Sequence, residues 1–257
     1  MIQTPNTYNV ETPILDRRSA EVVEIALQAL QGAGVELVEW GALLLTRMGV
    51  PRILPDFSYL VPDDRLEGAC SVLESIGLPL SPPSDLLLRT QGDLYARGRF
   101  YRITRSTLPS SICWIVLYPF SLAAFSRSEL SKQQPSYISH SQCSSILVPR
   151  PSAVCAFIIR TMTKYPQYCS TRTVLNSYLA DLVVFFFLGY TLHDLPKGEE
   201  EAWEREDEDR RIVAASQDVK QWYLDGEWRR GEEWIGDALA GVVTGSRIAN
   251  LPSLPRS

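Results

Sequence analysis

Asp56 and Ser58 stand two residues apart in a stretch, residues 53–61, whose alternating pattern reads as a β-strand. Period two places Asp56, Ser58 and Leu60 on one face and Phe57, Tyr59 and Val61 on the other. Arg52 precedes the strand, and Gly41 with Ala42 closes an apolar run further upstream. A carboxylate facing a cleft can hold a hard cation, although such an ion needs several oxygens in one place. Glycine at a strand-to-helix turn admits a phosphate to the backbone. An arginine beside it offsets negative charge. The chemistry these residues could do together is phosphate handling with Mg2+. Plainer readings exist for each. Asp56 could be a surface acid or a cap, Arg52 could simply pair with Asp56, and Gly41 could be a tight turn.

The elements around them follow from periodicity. Residues 19–33 carry Val22, Val23, Ala26, Leu27 and Leu30 at helical spacing, and Gly32 and Gly34 stop that helix. Residues 35–39 alternate like a half-buried strand. Residues 42–48 form a short helix ended by Gly49 and Pro51. After the Asp56 strand, Asp64 and Glu67 have capping-box spacing, and Leu66, Ala69, Cys70, Leu73 and Ile76 make a buried stripe up to Gly77. A proline-rich turn leads to expected strands at 86–88, 99–105 and 112–118. Residues 126–151 turn to Ser, Gln and Pro and read as a long loop or linker. Helices are expected at 152–165, 173–190, 199–225 and 232–243. The fold class is therefore α+β: a mixed β-sheet with flanking helices over 16–125, the linker 126–151, and a helical region 152–245 packed on it.

The order of the first pieces resembles the nucleotidyltransferase superfamily, in particular its minimal nucleotidyltransferase and antitoxin-like branches. The matching residues are Trp40-Gly41-Ala42, then Gly49-Val50-Pro51-Arg52, then Asp56-Phe57-Ser58, followed by the helix within 61–78. The resemblance covers roughly residues 20 to 120. It implies an NTP ligand held around Gly41, Ala42, Arg52 and Ser58, with Asp56 on Mg2+. If active, such a protein would transfer a nucleoside monophosphate to a hydroxyl. This chain departs from the pattern. Ala42 stands where Gly or Ser is usual, Ser58 stands where a second acid is usual, and no Asp or Glu occurs between Leu94 and Ser128. The resemblance thus implies a degenerate member with weak or lost catalysis. Glu36, Glu39 or Asp93 beside Asp56 would restore a metal site; Asp56 alone would not.

A different class of function is also open, a non-enzymatic module that binds a protein partner through the acidic helix at 198–211. That run contains the spacings Glu201–Arg205 and Glu206–Arg210 for charge pairs along a solvated face. Arg99, Arg102 and Arg105 interleave with aromatic residues and could meet phosphate, or could line a solvated sheet face. Trp203, Trp222, Trp228 and Trp234 read as core.

The totals narrow the classes. The chain has 257 residues, 45% hydrophobic, with net charge −5 and pI about 5.2, so no basic field recruits nucleic acid. Five scattered cysteines without a CxxC pair predict reduced thiols in a cytoplasmic protein. With His140 and His193 the only histidines, a His-rich zinc site is disfavoured. The first twenty residues are polar and lack the apolar core of a signal peptide. The apolar run 178–190 contains Asp181 and falls short of the about 20 residues a membrane span needs, so it reads as a buried helix.

Overall fold

The computed structural model describes residues 13–54, 56–108, 111–137, 143–192 and 202–253, the side chains of 202–206 excepted. Its centre is a six-stranded mixed sheet in the order β3-β4-β2-β1-β6-β5. The strands are β1 (Val38–Trp40), β2 (Asp56–Val61), β3 (Arg99–Arg102), β4 (Trp114–Pro119), β5 (Leu130–Gln133) and β6 (Ile146–Pro149). β1 runs antiparallel to β2, β2 parallel to β4, and β1 parallel to β6; β3 and β5 close the two edges antiparallel to β4 and β6.

Helices cover both faces. α1 (Ser19–Gly32) packs with α3 (Leu66–Ser75) on one side, where Tyr101 donates its hydroxyl to Glu74 of α3 at 3.0 Å. α4 (Asp85–Ala96), α5 (Pro151–Met162) and α6 (Ser170–Asp181) form the other layer. The short α2 (Gly41–Arg47) follows β1, α8 (Trp234–Val243) packs on α5, and α7 (Ala202–Leu224) packs on α8 and on the turn that follows α6. Because both faces are covered, every residue of β2 is buried, its polar Asp56 and Ser58 included. α5 is buried nearly all round, as a helix hydrophobic on every side must be. The fully buried Arg172 of α6 donates to the carbonyls of Met162, Leu251 and Pro252, which pins residues 251–252 against the helical layer.

Several expectations need correction. Residues 126–151 are no linker, since they supply β5 and β6 to the same sheet as the first half. Polar composition hid them: β5 is a half-exposed edge strand, and β6 is a fully buried apolar run of only four residues. The expected strand at 86–88 is part of α4, where the Ser84 hydroxyl caps the first turn by accepting from the Leu87 N–H. The Asp64–Glu67 capping box is absent. Residues Asp63–Arg65 make a 3-10 turn instead, and Asp63 accepts from the N–H and hydroxyl of Ser121. The expected helix at 173–190 begins at Ser170 and stays α-helical to Asp181, then widens into a π turn, Leu182–Phe187, whose Phe187 packs on Trp222. Among the described residues no helix is long and apolar enough to cross a membrane.

One glycine shapes the helical layer. Gly92 sits at φ +80 inside α4 and bends it around α6; a Cβ there would lie 2.5 Å from Thr171 Oγ1 and 2.6 Å from its backbone nitrogen. Gly92→Ala is therefore expected to destabilise by about 2 kcal/mol or more, read as a lower urea midpoint. Gly68→Ala, on an exposed helical position with nothing within 4 Å, should leave stability unchanged or raise it by up to about 1 kcal/mol.

Candidate functional site

β1 ends at Trp40, and Gly41 takes φ +62 to turn the chain into α2. The β1–β2 register sets Trp40 opposite Ser58, so a Cβ on Gly41 would touch Ser58 Cβ and Oγ at 3.4 Å. The β2–β4 register then sets Asp56 opposite Trp114. These side chains open towards α4, α5 and α6, and between sheet and helices lies a cavity of about 810 Å³. Gly41, Ala42, Arg52, Asp56 and Ser58 all line it, so the structure brings the five candidate residues of the sequence together.

The helical wall was not foreseen. Gln91 and Tyr95 come from α4, Phe157 from α5, and Thr171 and Tyr178 from α6; the sheet adds Trp40, Trp114 and Tyr118. Phe157 meets Trp40 edge to face, with ring centroids 4.8 Å apart. The wall is therefore strongly aromatic. The one available sequence signal was the presence of aromatic residues such as Phe157 and Tyr178 on helical segments, which core packing explains equally well.

Asp56 is the chemical centre. Its side chain is about 6% exposed, and burial pushes its carboxyl up to about 6, with the Tyr95 hydroxyl bond pulling the other way. The same burial, with the Asp56 charge added, drives the Tyr95 and Tyr118 phenols well above their usual range. The Ser58 hydroxyl pulls the Tyr118 phenol slightly the other way.

Arg52 does not pair with Asp56. It forms an ion pair with Asp181, and its guanidinium lies 4.7 Å from the centre of the Tyr178 ring. The three acids that could have joined Asp56 are placed elsewhere. Glu39 is fully buried on the opposite sheet face and held by Arg47 at 2.6 and 2.9 Å. Glu36 pairs with Arg127 at 2.7 Å. Asp93 does not line the cavity. Among the described residues Asp56 is the only carboxylate and Arg52 the only cation in the lining, and no group of three His, Cys, Asp or Glu could hold a metal. A single carboxylate with an elevated pKa does not fit a protein-built two-metal centre.

The other candidate surfaces are largely neutralised. Arg99 meets Glu67 at 3.5 Å, Arg105 meets Asp16 at 2.6 Å, and Arg102 donates to the carbonyl of Arg105. On α7, Asp207 pairs with Arg210 and Arg211. The expected Glu201–Arg205 and Glu206–Arg210 pairs involve side chains outside the described residues, as does His140, and His193 lies outside them too.

No family model and no curated protein matches this chain. The cavity must therefore be read from its own residues.

The Asp56 carboxyl has a folded-state pKa above its unfolded value, so the folded protein holds that proton longer. Its contribution to stability is greatest near pH 4 and is lost as pH rises through about 6. Asp56→Asn keeps an acceptor for Tyr95 without the charge. It should be more stable than wild type at pH 8 by on the order of 2 kcal/mol, with the gap closing towards pH 4. Urea melts across pH 4–8 read this directly, and a gap independent of pH would refute the assignment.

Proposed function

We propose that this chain is a nucleotidyltransferase-fold protein that has given up two-metal transfer and keeps its cleft as a small-molecule binding pocket. One observation supports the reading above the rest. Five residues chosen by resemblance, from three separate segments, line one cavity of a size typical for small-molecule sites. The order strand, left-handed glycine, short helix, antiparallel acidic strand agrees with it.

On this reading the absence of turnover has a local cause. Transfer of a nucleoside monophosphate needs charge neutralised at both the attacking and leaving oxygens, which two divalent ions normally provide. Asp56 offers one carboxylate. Ser58 stands at the position two residues on, and Trp114 stands beside Asp56 on the neighbouring strand. Any magnesium would have to arrive on the nucleotide's own phosphates. Gly41 lets a ligand approach the turn, and Arg52, engaged by Asp181, has limited reach for phosphate.

A second reading, a protein-interaction module, draws on α7, whose outer face presents Glu208, Asp209, Arg210 and Val213 to solvent. A chain blind to every small molecule would favour it.

The test uses the fold's own geometry. Wild type with each of the four NTPs and Mg2+ is expected to release no pyrophosphate and to show no magnesium-dependent change in Tm. Ser58→Asp puts a second carboxylate on the cleft face two residues from Asp56. It should lower Tm in EDTA and recover by several degrees in millimolar Mg2+, whereas Ser58→Asn should ignore the ion. Pyrophosphate release by wild type would overturn the loss of catalysis. A Ser58→Asp protein indifferent to Mg2+ would count against the fold reading.

A further inference from the structure

The cavity's charge and shape say more than that it binds something. Its cation is already charge-paired: Arg52 is held by Asp181 and stacked on Tyr178, with its buried Nε left unbonded. Its anion is not: Asp56 is more than nine-tenths buried and, among the described residues, meets no cation, with the Tyr95 phenol as its side-chain partner. Around it stand Trp40, Tyr95, Trp114, Tyr118, Phe157 and Tyr178. At the cavity edge Ile53 is 94% exposed beside Pro51, an apolar entrance with no basic side chain besides Arg52 in the described lining.

Resting on the reading of this cleft as a binding pocket, we propose that its ligand is a planar aromatic molecule with an N–H donor and no negative charge, seated with that donor on Asp56, and not a nucleoside triphosphate. Three arguments converge. Aromatic walls favour flat rings by stacking and by edge-to-face contact. A buried carboxylate without a cation gains most from an N–H donor, and more still from a charged one. A phosphate brought into the same low-dielectric space would meet the Asp56 charge, while the one cation of the described lining already shares its charge with Asp181. A cavity of about 810 Å³ accommodates a nucleoside or a bicyclic amine with room to spare. Nucleobases and aromatic amines share this chemistry.

Matched pairs decide it. Tryptamine and indole-3-propionate carry the same ring on a short chain with opposite charges; adenosine and ATP differ by the phosphates. Calorimetric titration of the full chain at pH 8, without metal, is expected to favour the first member of at least one pair by about tenfold or more, a difference of about 1.4 kcal/mol. Preference confined to adenosine over ATP identifies the source as a nucleobase; preference confined to tryptamine identifies an amine. In Asp56→Asn the indole pair should come within about twofold of each other. At pH 5, where the Asp56 carboxyl is protonated, the preference for tryptamine should shrink in wild type too. Equal or tighter binding of both anionic members overturns the proposal. So does a preference that survives Asp56→Asn, or no binding by either ring system. Were Asp56→Asn to misfold, the matched pairs in wild type at the two pH values still decide. The fold reading is judged separately by the magnesium response of Ser58→Asp, so either can fail alone.

Discussion

The architecture hangs on one buried ion pair. β1 is three residues long, yet it is the only strand joining the β3-β4-β2 half of the sheet to β6 and β5. Its middle residue, Glu39, has no solvent exposure, and Arg47 at the end of α2 grips it with two donors. The same guanidinium reaches the Gln133 side chain and the Gln134 carbonyl, and the Ser136 hydroxyl completes the carboxylate's partners. A buried pair of this kind costs about 3–5 kcal/mol to break from one side, because the surviving charge is stranded. Here it fixes β1, α2 and the segment after β5 in one arrangement. Strand alternation then does the rest: with Glu39 turned to the back, Trp40 must face the front, and Gly41 must carry the chain across the mouth of the cleft.

Two buried carboxylates thus sit on neighbouring strands with opposite electrostatics. Glu39 has a guanidinium and a hydroxyl, and its negative charge is fully offset. Asp56 has one phenol, and burial holds its carboxyl towards the neutral form. The first arrangement is what a structural acid looks like. The second is costly to stability and faces a cavity, and the proposed ligand site rests on that contrast. Arg52 could have relieved that cost, but its engagement with Asp181 ties it to α6 instead, 129 residues along the chain.

What the sequence disclosed was local. The glycine turn at Gly41, the period-two pattern of β2 and the helical stripe of α1 are written in neighbouring residues, and their boundaries fall within a few positions of those observed. What it withheld was tertiary. Nothing near Arg52 announces Asp181, and nothing near Asp56 announces Tyr95. β5 and β6 are too short to stand out from the polar stretch that contains them, and α4 begins with Ser-Asp after a proline pair that reads as a turn. The aromatic wall was present as composition and absent as geometry, because Phe157 and Tyr178 look like ordinary helix core until the sheet is set beneath them.

On the nucleotidyltransferase reading, these substitutions are physically coupled. Two or three acids converging on a cleft repel one another and need metal ions or water to stay charged, which keeps such a site open and wet. Ser58 and Trp114 remove that repulsion. The helical layer can then close over the sheet and present rings to the cleft, as Phe157 does against Trp40. Once the rings are in place, the remaining carboxylate loses most of its water, its pKa rises, and its preference shifts from hard cations towards N–H donors. The loss of the metal ligands and the gain of an aromatic pocket are, on this view, one change in the dielectric of the same small space.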